Sequence, residues 1–125
     1  MKVLVVEDSE FIRKEILGIL KKFKSFLLFE ADNGRKALEI FQNENPDVVI
    51  LDLGLPYISG FEVLRKIKCS NTTVKVIVLT NHGEKYFVDI CLKYGADYFF
   101  DKSTQFEEFI TTFESIHAEF KTQTT

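Results

Sequence analysis

The sequence predicts an α/β fold, an open five-stranded parallel sheet of order 2-1-3-4-5 with helices on both faces. Three observations lead there. Five short apolar runs are near-continuous and mostly β-branched or aromatic, the pattern of strands buried on both faces. Segments of helical period separate them. The βα alternation repeats five times, and short right-handed crossovers leave few topologies. The order itself is taken from the usual doubly wound arrangement, since the pattern does not set it.

The elements follow in chain order. The first run, Val3 to Val6, ends in Glu7-Asp8. Ile12, Ile16, Ile19, Leu20 and Phe23 then recur at helical spacing, with Asp8-Ser9 as a favoured cap. Phe26 to Phe29 is the second strand. Ala37, Leu38 and Phe41 mark a helix opened by Asn33-Gly34 and closed by Asn45-Pro46. Val48 to Leu51 ends in Asp52, and Phe61, Leu64 and Ile67 mark the third helix. Val74 to Leu79 ends in Thr80. Phe87, Val88, Cys91 and Leu92 form a helix stopped by Gly95. Tyr98 to Phe100 is followed closely by Lys102. Phe106, Phe109, Ile110, Phe113, Ile116 and Phe120 give the last helix a strong apolar stripe. One domain is expected over 1–120, with Lys121 to Thr125 as a frayed tail or the start of a linker.

Composition excludes several classes. The 125 residues suffice for one core and leave little room for a second domain. With 16 basic and 19 acidic residues, the chain has no global attraction to nucleic acid or anionic lipid. It has 13 Phe and no Trp, so Phe must supply much of the core volume. Two cysteines, Cys69 and Cys91, make no disulfide framework and no metal spacing, and read as free thiols in a reducing compartment. The first apolar run ends in two acids, unlike a secretory leader. No stretch approaches the roughly 20 apolar residues of a membrane span. A cytoplasmic protein is expected, with no direct contact with nucleic acid or membrane.

The residues at the strand ends carry the chemistry. In open α/β sheets ligands bind outside the carboxyl ends of the strands, where strand order reverses. Adjacent strands lie about 4.8 Å apart. Asp8 and Asp52 are therefore expected to be neighbours, with Glu7 close by, Thr80 one strand beyond Asp52, and Lys102 beyond that. Two unit charges 4 Å apart repel by about 4 kcal/mol at an effective dielectric near 20. Such a cluster calls for a cation or a raised pKa. Lys102 offsets one charge, and Mg²⁺ fits the rest, because it takes one or two carboxylates, keeps waters and holds phosphate. Asp52 then has a role open to it as phosphoryl acceptor, with a hydroxyl and an ammonium on the phosphoryl oxygens. Taken singly, each residue has an ordinary reading: a cap for Asp8, a loop start for Asp52, a turn for Thr80 and a solvated lysine for Lys102. Their joint placement at successive strand ends favours the site.

The chain resembles the receiver domains of two-component response regulators, with their chemotaxis-regulator-like, flavodoxin-like fold, over nearly all its length. The matching stretches are Val5-Val6-Glu7-Asp8-Ser9, Leu51-Asp52-Leu53-Gly54-Leu55-Pro56, Gly60, Leu79-Thr80, Gly95-Ala96-Asp97 and Phe99-Phe100-Asp101-Lys102. The resemblance implies that Asp52 is the phosphoacceptor. It implies Mg²⁺ (or Mn²⁺) held by Asp8 directly, by Glu7 mainly through water, by Asp52 and by the backbone carbonyl of Gly54. Thr80 and Lys102 would contact the phosphoryl group, and Phe99 would turn inward as a switch when Thr80 moves. His82 stands where members of the family tune dephosphorylation. Gly54 brings no side chain, which leaves room for water. Ser103 follows Lys102 where the family usually has a cis proline. A cis bond without proline costs about 3–4 kcal/mol, which leaves the geometry of this loop open.

The implied partners are a sensor histidine kinase or histidine phosphotransfer protein and a downstream protein. The residues offer Lys85, Tyr86, Tyr94, Tyr98, Phe100 and Phe106, around the fourth helix, fifth strand and fifth helix, either as a face for that target or a second copy, or as core. The chain is expected to catalyse only its own aspartyl phosphorylation and dephosphorylation. If it stands alone, its output is another protein docking on its surface. A flavodoxin-like electron carrier is disfavoured because Glu7-Asp8-Ser9-Glu10 would repel a phosphate. An Asp-nucleophile phosphatase is disfavoured because Gly54 stands where its second Asp would be. A pseudo-receiver, acting as a constitutive interaction module without phosphate, is the main rival.

Overall fold

The computed structural model describes residues 1–123. Five strands alternate with five helices: β1 (Lys2–Val6), α1 (Glu10–Leu20), β2 (Leu27–Ala31), α2 (Gly34–Glu44), β3 (Val48–Leu51), α3 (Gly60–Ser70), β4 (Lys75–Thr80), α4 (Lys85–Lys93), β5 (Tyr98–Asp101) and α5 (Phe106–Gln123). The sheet is parallel, in the expected order β2-β1-β3-β4-β5.

Strand alternation divides the core in two. Val3, Val5, Ile50, Ile77 and Leu79 meet Ile16, Leu17 and Leu20 of α1 and Phe109, Phe113 and Ile116 of α5. Leu4, Val6, Val49, Leu51, Val76 and Val78 meet Ala37 and Phe41 of α2, Val63, Leu64 and Ile67 of α3, and Cys91 of α4. The period of two sends successive side chains to opposite faces, so an apolar run fills both layers. Phe supplies much of the first layer: Phe113 lies against Phe23 and Phe26, with ring centroids 5.5 and 5.7 Å away.

Local chemistry sets the helix ends. Ser9, Asn33 and Ser59 each accept a backbone N–H of the first turn of α1, α2 and α3. Asn45 takes the left-handed conformation that closes α2. Gly95 has φ +100°, which a side chain would strain, and it ends α4 as expected.

Several expectations need correction. β2 starts at Leu27, not Phe26, and is an edge strand paired only to β1, so Leu27 is exposed. A continuous apolar run at an edge is not buried on both sides. Leu92 is exposed rather than part of the buried stripe of α4, where Cys91 is the buried residue. The last helix passes residue 120 and takes in Lys121 to Gln123, so the expected tail is helical that far. Its residues 124–125 lie outside the described ones. No peptide bond among the described residues is cis, so Lys102–Ser103 is trans. Both cysteines are free. Burial pushes the Cys91 thiol up to about 11, which makes it inert. No helix among the described residues is long and apolar enough to cross a membrane.

Candidate functional site: an acidic cluster at the carboxyl edge of the sheet

β1 and β3 are neighbours in the register Val6↔Leu51, which carries Glu7 and Asp52 side by side beyond the strand ends. The Asp52 N–H continues the ladder to the Val6 carbonyl at 3.1 Å. Asp8 follows as the chain turns into α1. Glu7, Asp8 and Asp52 each present a carboxylate oxygen within 4.8 Å of the others. Glu7 is buried, Asp52 nearly so, and Asp8 is exposed at the mouth.

Lys102 reaches this cluster from two strands away. Its N–H donates to the Thr80 carbonyl at 2.9 Å, extending the β4–β5 pairing. Its side chain then crosses β4, and Nζ donates to Glu7 Oε1 and, at 3.3 Å, to Asp52 Oδ2. One ammonium therefore serves two buried carboxyls, and the third has no ammonium partner in the cluster. The Ser9 N–H donates to Glu7 Oε2 at 3.1 Å, and the Gly54 N–H approaches Asp52 Oδ1 at 3.5 Å. Burial raises the Glu7 carboxyl from 4.5 to about 6. The Lys102 hydrogen bond works against that rise, and the Asp52 charge adds to it.

Backbone fit explains the position of Asp52. A Cβ on Gly60 would collide with the Asp52 carbonyl oxygen and the Leu53 Cα, so only glycine lets α3 start directly behind the acid. The Gly60 N–H donates to the Leu53 carbonyl at 3.1 Å.

The structure thus brings together Glu7, Asp8, Asp52 and Lys102, as the strand-end argument requires. Thr80 is fully buried at the end of β4, and its Oγ1 accepts the His82 N–H at 3.3 Å. His82 is exposed, and its Nε2 lies 3.6 Å from where a Cβ of Gly54 would stand. The room left by Gly54 is therefore bordered by imidazole. Phe99 is half-buried against the α2–α3–α4 layer. Phe100 is core, while Tyr86, Tyr94 and Tyr98 are exposed.

Sequence reasoning missed Arg13. Its guanidinium donates to the Glu7 carbonyl at 2.9 Å and to Glu30 Oε1 at 2.9 Å, bracing the turn after β1 against β2. Nothing in the spacing marks it, because Glu30 comes from a different strand. A cavity of about 660 Å³ lies between α2 and α3, away from the cluster. A small ion needs no such cavity.

The donor set is all oxygen, compact and short of positive charge, and one member faces solvent. These are the features of a site for a hard divalent cation. The residues therefore fit Mg²⁺ or Mn²⁺.

The family described as "Response regulator receiver domain" matches residues 3–114. A cyclic di-GMP phosphodiesterase of Thermotoga maritima is 41% identical over 86% of this chain and 28% of its own length. Chemotaxis protein CheY of Listeria monocytogenes is 32% identical over 91% of this chain and 96% of its own. The crystal structure of response regulator Rcp1 in its Mn²⁺-bound form superposes with a TM-score of 0.79 at 26% identity, covering 94% of this chain and 91% of that one. The chain spans about half or less of the length of several curated relatives that it matches.

Proposed function

The chain belongs to the response regulator receiver domain family, and on that premise we propose that it accepts a phosphoryl group on Asp52 and signals by protein–protein interaction. The observation that carries this reading is the sharing of one ammonium, Lys102, between Glu7 and Asp52 with Asp8 at the mouth.

The donor is a phosphohistidine of a sensor kinase or phosphotransfer protein. An Asp52 carboxylate oxygen attacks phosphorus, the O–P bond forms, the N–P bond breaks, and the imidazole leaves with the bonding pair and takes up a proton. Asp8, Asp52 and the Gly54 carbonyl would hold Mg²⁺, with Glu7 acting mainly through water, and the ion would neutralise phosphoryl oxygens and the crowded carboxylates. Lys102 already stands on Asp52 Oδ2, where it stabilises charge on the phosphoryl oxygens. Buried Glu7 keeps Lys102 aimed inward. The chain catalyses only the gain and loss of its own phosphoryl group.

The Thr80 hydroxyl exchanges its His82 partner for a phosphoryl oxygen, and Phe99, half-buried beside β4, turns inward. Moving a population from 1:99 to 99:1 takes about 5.5 kcal/mol. A hydrogen bond to a charged group contributes about 1.5–3 kcal/mol. Thr80 and Lys102 together roughly meet the requirement, and one alone does not. His82, beside Gly54, sets how readily water reaches the acyl phosphate. The downstream face uses the exposed Tyr86, Tyr94 and Tyr98, with Lys85 and half-buried Phe106, for a target or a second copy. Sedimentation with and without a phosphoryl mimic tests the second copy; an unchanged mass rejects it.

The test of the main reading is intact mass spectrometry with Mg²⁺ and acetyl phosphate. The expected result is a gain of about 80 Da, abolished by Asp52→Asn or by chelation. No gain from acetyl phosphate or from a range of sensor kinases rejects the reading and favours the constitutive interaction module.

A further inference from the structure

Lys102 sits on a trans peptide followed by serine, so no proline stiffens the turn that aims it. The structure shows another device there. Asp101 Oδ1 accepts the Ser103 N–H at 2.8 Å and the Ser103 Oγ hydroxyl at 2.6 Å. The Asp101 N–H donates to Gln105 Oε1 at 2.9 Å, and its carbonyl accepts from Thr104 and Gln105 at 3.3 and 2.8 Å. Gln105 Nε2 donates onward to Glu108 Oε2 at 3.2 Å, in the first turn of α5. Asp101 thus closes hydrogen bonds across Lys102 to the three residues that follow it, and two of them are charge-assisted.

The carboxylate also fills the space above Gly83, where an added Cβ would collide with Asp101 Oδ2. Gly83 lies in the loop after β4, next to His82. The clasp therefore packs the loop after β5, which carries Lys102, against the loop after β4, which carries His82.

We propose that Asp101, with Ser103, is a positioning residue for Lys102, replacing a rigid proline by a side-chain clasp. A lysine stem loses rotamer entropy when held, so a fixed backbone origin counts toward aiming its ammonium. Misplacing a catalytic group by about 1 Å costs on the order of a hundredfold in rate. The proposal rests on the receiver reading for its kinetic consequence, but the placement of Lys102 is measurable without it.

The test uses the whole chain and two readouts. The first is NMR of Lys102, by amide exchange and side-chain ammonium signal, with no phosphoryl donor. The second is the rate of Asp52 phosphorylation by acetyl phosphate at saturating Mg²⁺, with Mg²⁺ affinity measured alongside. Asp101→Ala is expected to speed Lys102 amide exchange by about tenfold or more. It should slow phosphorylation by tenfold to a hundredfold, with Mg²⁺ affinity within about twofold of wild type. Asp101→Asn, which keeps an acceptor oxygen, should restore most of both. Ser103→Ala, the milder variant, should fall between, and Gly83→Ala, which pushes on the clasp from the other loop, should resemble Asp101→Ala. Wild-type exchange at Lys102 in Asp101→Ala overturns the proposal, as does loosened exchange with an unchanged phosphorylation rate. If wild type takes no phosphoryl group, the receiver reading falls, and the Lys102 signals alone still decide for or against the clasp.

Discussion

Two lysine–carboxylate groups lie at opposite edges of the same sheet and are built on opposite principles. At the amino edge, Lys68 Nζ donates to Asp97 Oδ2 at 2.8 Å and to the Val74 carbonyl at 2.6 Å. Asp97 Oδ2 also accepts the Val76 N–H at 2.8 Å. One cation meets one anion, and backbone partners take up the remaining capacity. At the carboxyl edge, Lys102 is shared by Glu7 and Asp52, and Asp8 adds a third carboxyl. The first group is neutral and closed, and it ties α3 to the starts of β4 and β5. The second carries surplus negative charge and is open at Asp8. The same residue types serve architecture where the charges balance and chemistry where they do not.

The largest effect is expected at the amino edge. Asp97→Ala leaves Lys68 half-buried without its anion and the Val76 N–H without an acceptor. A loss of about 3 kcal/mol is expected, the low end for buried pairs because Asp97 keeps some water contact. Urea unfolding measures it, and Mg²⁺ affinity should not move. A loss below about 0.5 kcal/mol would place the pair with ordinary surface bridges.

At the carboxyl edge the expected sign is reversed. Glu7 is harder to ionise folded than unfolded, since its value is about 6 against 4.5. Its contribution to stability is full below pH 4.5 and is lost as pH rises through about 6. The loss amounts to about 2 kcal/mol, from roughly 1.4 kcal/mol per unit. Glu7→Gln in metal-free buffer should remove that slope and stabilise the protein at pH 7. Glu10, Glu62 and Asp101, whose carboxyls are shifted down by Lys14, Arg65 and Ser103, act in the opposite sense at lower pH. The difference between wild type and variant across pH 4–8 isolates Glu7, and parallel curves would contradict the assignment.

The last effect concerns Thr80 and falls on partner binding, with the least change in folding stability. Thr80→Ala should leave phosphorylation within severalfold of wild type while blunting partner binding, because a bond worth about 1.5–3 kcal/mol is missing from the switched state. Partner binding at the wild-type level in this variant would contradict the switch.

Much of this was legible in the chain. Val3 to Val6, Val48 to Leu51 and, within Val74 to Leu79, the unbroken stretch Val76 to Leu79 announce buried strands because nothing polar interrupts them. Glu7, Asp8, Asp52 and Thr80 are legible because each follows such a run within two residues, and the fold brings strand ends together. What escaped depends on three-dimensional neighbours. Leu27 has the right type for a strand but lies at the sheet edge. Leu92 falls beside Cys91 in sequence and points away from the core. Arg13 finds its partners across two strands. The expected end of the last helix at 120 failed because polar Lys121 to Gln123 carry no helix stop such as glycine or proline. Ser103 read only as a missing proline, since its bond to Asp101 becomes visible once the loop is closed.

The carboxyl edge is short of positive charge, and on this reading a divalent cation completes it. The direct test is calorimetric titration of Mg²⁺ into the metal-free protein, run in parallel on Asp8→Asn, Asp52→Asn and Asp97→Asn. The expected result is one saturable site in wild type and Asp97→Asn, weakened at least tenfold in the other two. At ten times its Kd, Mg²⁺ should also add about 1.4 kcal/mol to the stability of wild type. Absence of binding to wild type, or binding that survives both carboxyl-edge substitutions, would contradict the account.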